Sequence, residues 1–135
     1  MPNKIIIGWK KKVKLPDWGI SSLRAKVDTG AKTSSLHVED ITILPGRKVQ
    51  FFVVTRRKEP KRRIKVVTHI IRKARVRTCS ESTTTRIFVG TRIQIGSVEQ
   101  HIELNLVDRD NLIHRMLLGR SALEGKFVVD VSRSK

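Results

Sequence analysis

The chain has 135 residues, and its 29 Lys and Arg against 12 Asp and Glu give a formal net charge of +17. This length supports one compact domain with a single core, and a hydrophobic share of 39% excludes wholesale disorder. No apolar run reaches the roughly 20 residues that a membrane-spanning helix requires, which excludes a helical membrane protein. The excess positive charge indicates an anionic partner such as RNA, an acidic peptide or an acidic protein surface.

The predicted elements are β-strands from the first residues onward. Short runs of branched residues at Lys4–Trp9 and Leu23–Val27 are separated by the turn residues Pro16-Asp17-Trp18-Gly19. Pro45-Gly46 predicts a hairpin turn. Further strands are predicted at Val38–Leu44, Lys48–Thr55, Ile64–Ile71, Arg86–Val89, Arg92–Ile95, His101–Val107 and Phe127–Val131.

Two features punctuate the later part of this pattern. Gly90 and Gly96 are expected to end strands, and Ser121–Glu124 is expected to form a helical turn. Many short strands at close spacing predict an all-β fold, either a small barrel or a sandwich. We expect residues 1–135 to form a single domain.

A basic segment at about 56–77 is predicted to be an insertion or hairpin within this domain. Two clusters, Arg56-Arg57-Lys58 and Lys61-Arg62-Arg63, flank Glu59-Pro60 as an exposed tip, and an edge strand follows. A few lysines suffice to protect an exposed edge, so this density favours an anionic partner. The residues expected to bind it are Arg56, Arg57, Lys61, Arg62, Arg63, Arg75 and Arg77.

The amino terminus and the cysteine content indicate the compartment. Ile5-Ile6-Ile7 is interrupted at once by Gly8-Trp9-Lys10, which does not fit a signal peptide. Cys79 stands alone, so it can form neither an internal disulfide nor a cysteine-based zinc site. We therefore expect a cytoplasmic protein.

The feature most suggestive of chemistry is Asp28-Thr29-Gly30-Ala31, which directly follows an apolar strand. Gly30 lacks a Cβ and lets backbone pass close to a ligand or a second chain, and the Thr29 hydroxyl can bond to backbone in a turn. Asp and Gly are also the commonest turn residues, so the tripeptide alone favours an ordinary β-turn over a catalytic site.

A second motif favours the catalytic interpretation. Met116-Leu117-Leu118-Gly119-Arg120 is an apolar strand that ends in Gly-Arg, and together with Asp-Thr-Gly-Ala it resembles the two-part signature of retropepsin-like aspartic peptidases. The chain further resembles a bacterial retropepsin-like family commonly labelled ATP-dependent zinc protease. The matching segments are Gly8-Trp9, 25–37, Val107-Asp108-Arg109, 116–123 and Phe127-Val128-Val129-Asp130.

The resemblance implies a small closed all-β barrel of the acid-protease type with one short helix near the C-terminus. It implies Asp28 as the catalytic residue. The residues implied to support the catalytic turn are Thr29, Gly30, Ala31, Leu118, Gly119 and Arg120.

The expected chemistry requires two carboxylates. Two close carboxylates that share one proton can hydrolyse a peptide bond, one as base toward water and one as acid toward the carbonyl. The chain has one Asp-Thr-Gly, so we expect the second carboxylate to be Asp28 of a symmetry mate in a homodimer. Retropepsins commonly carry an aspartate at the position of Lys32, which pairs with the arginine of the Gly-Arg strand. Lys32 leaves open another oligomer or a single-aspartate site.

Because of Lys32, Arg120 requires a different partner, and the candidates are Asp108, Asp110 and Asp130. No metal or cofactor site is predicted. The four histidines, His37, His69, His101 and His114, lack the spacing of a zinc motif, although a composite site at His37 and His114 stays an alternative. No phosphate-binding Gly-x-x-x-x-Gly-Lys loop is present, so any ATP dependence would come from a partner.

Two functions follow. The first is an aspartic peptidase whose basic rim selects acidic peptides; the resemblance associates the family with ATP-grasp ligases that add glutamates to a ribosomal protein. It thereby implies oligoglutamate tails as substrate and the ligase or ribosomal protein as partner. The second is a non-catalytic module that binds RNA, the ribosome or an acidic protein. Aromatic residues are only 4%, too few for base stacking, but phosphate contacts need none.

Overall fold

The structure, a computed structural model, describes residues 3–77, 83–108 and 114–134. Within these residues the strands are β1 Ile5–Ile7, β2 Lys10–Leu15, β3 Ile20–Val27, β4 Ser34–Leu44, β5 Lys48–Arg56, β6 Arg62–His69, β7 Arg72–Arg77, β8 Thr83–Ile95, β9 Val98–Asp108, β10 Met116–Leu118 and β11 Phe127–Val129. A 3-10 helix, Pro16–Trp18, joins β2 to β3, and α1, Arg120–Leu123, follows β10. The all-β prediction, with one short helix near the C-terminus, is confirmed.

Among the described strands, six close into a barrel. They follow one another in the order β3, β2, β8, β9, β4 and β10, and β10 closes the ring by pairing parallel to β3 and antiparallel to β4. Met116 is accordingly the register partner of both Ala25 and Leu36. The predicted closed barrel is confirmed, and closure removes the sheet edges that would otherwise lie beside β3 and β4.

Five strands lie outside this ring. The β5–β6 hairpin extends the sheet from β4, β7 pairs with β8, and β1 and β11 form a separate parallel pair. Arg56 and Arg62 are the last register partners of the β5–β6 hairpin, so residues 57–61 form its tip. The basic segment 56–77 therefore comprises this tip, β6 and the strand β7.

The core is built from strands that alternate buried and exposed residues. In β3, Leu23, Ala25 and Val27 are buried and the residues between them are exposed. The hairpin contributes Phe51 to the same cluster, where its ring meets the Trp18 ring edge-on at 5.5 Å between centroids. No helix in the described part of the chain is long and apolar enough to cross a membrane.

Two local predictions were wrong. Lys10–Leu15 is a strand that the prediction omitted, because four lysines obscure the alternation of its two buried residues, Val13 and Leu15. Gly90 does not end a strand but lies inside β8, where a Cβ would lie 2.8 Å from Cε1 of His101. A side chain at position 90 would therefore clash with His101. Gly96, at φ +59°, turns the chain as expected.

The single-domain prediction can be tested through Phe51. Phe51→Ala is expected to lower the free energy of unfolding by about 3–5 kcal/mol in one cooperative transition, because the hairpin shares the barrel core. Urea denaturation followed by tryptophan fluorescence and far-UV circular dichroism measures this. Phe52→Ala, at the half-buried neighbouring position, is the matched control with a smaller loss. Separate melting of the hairpin, with the barrel transition unchanged, would contradict the prediction.

Candidate active site

Asp28 is held at the point where β3 ends. Its backbone N–H donates to the carbonyl of Leu118 at 2.9 Å, which extends the parallel pairing of β3 and β10 by one residue. Its carbonyl accepts the N–H of Ala31 at 3.2 Å, and its Oδ1 accepts the N–H of Gly30 at 3.1 Å. A Cβ on Gly30 would lie 3.2 Å from the same oxygen. The turn therefore fixes the orientation of the Asp28 carboxylate. Asp28 is half-buried, and the next two residues, Thr29 and Gly30, are exposed.

Gly119 allows the segment after β10 to pass close to the residues that follow this turn. Its backbone is extended, at φ −84° and ψ 174°, a conformation open to any residue. A Cβ there would lie 2.5 Å from the carbonyl oxygen of Thr33. Its N–H donates to Oγ of Ser34 at 3.0 Å. Gly119 is thus required for close backbone packing rather than for a special conformation.

Arg120 supports the turn through backbone carbonyls. Its N–H donates to the carbonyl of Ala31 at 2.8 Å, and its guanidinium Nη1 donates to the carbonyl of Thr29 at 2.9 Å. The side chain is exposed. Asp130 instead pairs with Arg133 at 3.5 Å. With Lys32 in place of the usual aspartate, the arginine bonds to the turn itself.

Asp108 lies at the exposed end of β9. Asp110, the third candidate, and Cys79 lie outside the described residues. Ser121 at the start of α1 adds a further tie, because its N–H and its hydroxyl both donate to the carbonyl of Lys32. Three successive residues, 119 to 121, therefore hold the segment that follows Asp28.

A buried amide lies beneath this arrangement. Asn105 of β9 is 2% exposed. Its Oδ1 accepts from Oγ of Ser35 at 3.0 Å and from Nη1 of Arg86 at 3.1 Å. Its Nδ2 donates to the carbonyl of Ser34 at 3.0 Å and to the hydroxyl of Thr33 at 3.4 Å. Both polar atoms of the Asn105 amide are therefore hydrogen-bonded, and three of their four partners belong to residues 33–35, which follow the turn at Asp28.

Sequence reasoning missed Asn105. The alternation of Ile102, Leu104 and Leu106 assigned it to the outward face, where an amide needs no explanation. In the structure, Asn105 fixes the segment whose Ser34 hydroxyl accepts the Gly119 N–H. The sequence signal that could have identified Asn105 is an uncharged amide placed directly between two core leucines, Leu104 and Leu106.

The predicted anion-binding residues fall in two places: the hairpin carries Arg56, Arg57, Lys61, Arg62 and Arg63, and β7 carries Arg75 and Arg77. Arg75 is exposed, and at Arg77 the backbone alone is described. These assignments stay predictions.

Two of the hairpin cations are engaged within the chain. Lys61 Nζ lies 2.9 Å from Oε2 of Glu39, and Arg63 Nη1 lies 3.1 Å from Oε1 of Glu39 and 2.8 Å from Oδ2 of Asp40. The hydrogen bond from Lys61 lowers the pKa of Glu39 below its usual value. The charges of Lys61 and Arg63 are therefore partly offset by these carboxylates.

The two histidines considered for zinc occupy different surroundings. His37 is buried in β4, and its backbone N–H donates to the carbonyl of Arg115 at 2.8 Å. His114 is half-buried, and its ring meets the Trp9 ring edge-on at 6.1 Å between centroids. Among the described residues, no group of three or more His, Cys, Asp and Glu is arranged to hold a metal ion.

Replacement of the buried amide tests its supporting role. Asn105→Leu is expected to lower the free energy of unfolding by about 1–3 kcal/mol, because buried polar groups of Thr33, Ser34 and Ser35 lose a partner. Denaturant titration measures this, with Glu103→Leu, an exposed position on the same strand, as the control. Equal stability of the two variants would contradict the prediction.

A second prediction concerns pH. Burial, followed by the charges of Lys26, Lys10 and Arg24, lowers the pKa of His114 below 6.5. The unfolded chain therefore binds more protons at this residue, and stability is expected to fall as the pH drops through 6.5 toward the folded-state pKa. Denaturation between about pH 5 and pH 8 measures the slope, which His114→Gln should reduce. An unchanged slope in that variant would contradict the assignment.

Known proteins resemble this chain over nearly its full length. A probable alpha-L-glutamate ligase of Parasynechococcus marenigrum is 35% identical over 133 residues, which cover 96% of this chain and 28% of that protein. A protein of the same name from Shewanella pealeana is 31% identical over 137 residues, 98% of this chain and 30% of the relative. The chain thus spans less than a third of the length of these curated relatives.

A solved structure and a family comparison agree on the fold. The crystal structure of Lpg0085 from Legionella pneumophila, a protein of unknown function (DUF785), superimposes with a TM-score of 0.79 at 27% identity. The match covers 98% of this chain and 97% of that one. Residues 6–135 match the RimB-like family, described as retropepsin-like aspartic endopeptidase RimB. The chain therefore belongs to the RimB-like family of retropepsin-like aspartic endopeptidases.

Proposed function

We propose that this protein is an aspartic-type peptidase that uses Asp28 to activate water. The observation that carries the proposal is the restrained turn, in which the N–H of Asp28 donates to Leu118 and the N–H of Gly30 donates to the carboxylate. A carboxylate acts efficiently as an acid or base only when it is held in a fixed position. Membership of a retropepsin-like endopeptidase family supports the same reaction class.

The reaction needs a second carboxylate, which we assign to Asp28 of a second copy related by a twofold axis. Ile6 of β1 and Val128 of β11 are register partners, and they are 51% and 47% exposed. Burial of such apolar side chains between two copies would favour association. The carbonyl of Trp9, two residues after β1, accepts the N–H of Val27 at 2.7 Å, so the segment that follows β1 is bonded to the last residue of β3, directly before Asp28.

In the paired site, two neighbouring carboxyl groups share one proton because both cannot ionise at close range. The ionised group takes a proton from water as the water oxygen attacks the peptide carbonyl carbon. The protonated group gives its proton to the carbonyl oxygen, which produces a tetrahedral diol. As the diol collapses, one of its hydroxyls gives its proton to the now ionised second carboxylate and re-forms the C=O bond. The C–N bond breaks as the first carboxyl returns its proton to the leaving nitrogen, which restores both groups to their starting states.

The proposed substrate is an acidic peptide or protein segment, of which an oligoglutamate tail is the specific case. A net charge of +17 favours anionic substrates. The relatives named probable alpha-L-glutamate ligase support a link to glutamate addition, which a peptidase of this specificity would reverse. The corresponding partners are an ATP-grasp glutamate ligase or its ribosomal-protein product, in the cytoplasm.

A second candidate is a non-catalytic module that binds RNA or the ribosome, which the same net charge favours. Electrophoretic mobility shifts with ribosomal RNA distinguish the two. Tight binding by both the wild type and Asp28→Asn, without cleavage of any acidic peptide by the wild type, would favour the module.

The peptidase is tested by Asp28→Asn. The variant keeps the shape of the side chain but cannot exchange the shared proton, so cleavage of a glutamate-tailed peptide is expected to fall by about 10²–10⁴-fold or more. The melting temperature should change little. Mass spectrometry of the peptide at low salt between about pH 4 and pH 8 measures the loss, and a chelator should not affect the wild type.

Mixtures of wild type and Asp28→Asn test the shared site. If each site uses both copies, activity falls with the square of the wild-type fraction, whereas independent sites give a linear decrease. An intact peptide in the presence of wild-type protein under all of these conditions would overturn the proposed function. Inhibition by a chelator would overturn the aspartic mechanism.

A further inference from the structure

Three adjoining clefts lie along β2, β3 and the β5–β6 hairpin. The middle cleft, of about 730 Å³, shares Lys12 and Arg24 with a cleft of about 670 Å³ that extends to His114. At its other end it shares Ser22 and Thr55 with a cleft of about 500 Å³ below the hairpin tip. Shared lining residues join the three clefts into one path, which we call the β2–β3 groove.

Like charges face one another along the β2–β3 groove. The cross-strand pairs are Lys10 with Lys26, Lys12 with Arg24, and Arg56 with Arg62. Like charges directly opposite one another destabilise a sheet. The described lining residues of all three clefts include neither Asp nor Glu. The chain thus maintains an unfavourable arrangement that a bound anion would relieve.

Other surface cations contrast with these pairs. Arg92 lies 3.0 Å from Oε1 of Glu99 and also pairs with Asp17, and Arg72 lies 3.2 Å from Oε1 of Glu103. The sheet can therefore place carboxylates opposite cations where no ligand is required. Absence of acidic lining residues from the described β2–β3 groove is a local feature and not a consequence of net charge alone.

The register of β3 connects the β2–β3 groove with Asp28. Ala25 and Val27 are buried, whereas Arg24 and Lys26 are exposed. Residues two apart along a strand share a face, so Asp28 is in phase with Lys26 and Arg24. At about 3.3 Å per residue, these two cations lie about 7 Å and about 13 Å along the chain from Asp28.

The positive potential of the groove also acts on a titratable neighbour. Burial lowers the pKa of His114, and the charges of Lys26, Lys10 and Arg24 lower it further. Carboxylates bound beside these three cations would offset their field. The imidazole of His114 is therefore a probe of occupancy at the end of the groove that Trp9 and His114 line.

We propose that the β2–β3 groove binds the acidic residues that flank the bond cleaved at Asp28, an inference that rests on the proposed peptidase function. In an extended peptide, side chains on one face repeat about every 7 Å, the same interval as the outward cations of β3. The groove therefore selects a run of carboxylates rather than a single acidic side chain.

An acidic peptide fits the groove better than RNA does. Base stacking requires free aromatic faces, and the described lining offers Trp9 and His114 at one end. The Trp9 ring already contacts His114 at 6.1 Å and Lys10 Nζ at 5.0 Å. The phase of Lys26 and Arg24 with Asp28 also directs the groove to the site of peptide cleavage.

The test uses the full chain with Asp28→Asn, so that bound peptide is not cut. Fluorescence anisotropy with a hexaglutamate-tailed peptide compares two added double substitutions: Lys12→Gln with Arg24→Gln in the groove, and Lys14→Gln with Lys48→Gln at exposed positions outside it. Both remove two charges. The groove variant is expected to bind about tenfold more weakly or worse, with a shallower salt dependence, and the control to change less than about twofold.

The groove variant is also expected to keep or raise its melting temperature, because a like-charge pair is removed, so lost binding is separable from unfolding. Peptide binding to the Asp28→Asn protein should raise the pKa of His114, followed by its imidazole NMR resonances. An unchanged pKa would place the peptide elsewhere and overturn the proposal.

The binding and cleavage measurements together distinguish a wrong assignment of the groove from a wrong assignment of the peptidase function. Equal weakening in both double variants would overturn the groove while cleavage by the wild type still supported the peptidase. Groove-specific binding without cleavage by the wild type would support the groove as an acidic-peptide site and overturn the catalytic function. Displacement of the peptide by tighter-binding single-stranded RNA of equal charge would overturn the choice of ligand.

Discussion

The pairing of one three-residue strand controls both the barrel and its candidate active site. Met116–Leu118 bonds to β3 on one side and to β4 on the other, which closes the ring. The same strand supplies the carbonyl that accepts the Asp28 N–H. Because β3 and β4 are separated by this strand, the connection from Asp28 to Thr33 must pass over its end, where Gly119 leaves room for the backbone.

A buried polar network extends this constraint to β9, the strand on the other side of β4. Asn105 of β9 bonds to the segment at Ser34 and Ser35, and the Ser34 hydroxyl accepts the Gly119 N–H. Satisfied polar groups in a low-dielectric interior define one geometry, since alternatives leave partners unpaired. Apolar packing alone would tolerate small displacements of the turn, whereas these bonds restrict the position of the carboxylate.

The charged side chains of the surface are positioned by strand pairing, and not by the hydrogen bonds that hold the turn at Asp28. The hairpin cations Lys61 and Arg63 are partly offset by Glu39 and Asp40, which the sequence places about 20 residues earlier. The strands β2 and β3 place Lys12 opposite Arg24, twelve positions apart in the chain. Strand register therefore places a pair of like charges across β2 and the strand that leads to Asp28, in addition to the cations of the hairpin tip.

The sequence by itself determined the β class, the hairpin turn at Pro45-Gly46, the short helix and the two motifs, because alternation and turn chemistry are local properties. The tertiary structure decided that Lys10–Leu15 is a strand, that Arg120 bonds to Thr29, and that Asn105 is buried. Each of these depends on which distant strands become neighbours. Alternation shows that a strand has two faces, but long-range pairing decides what covers each face.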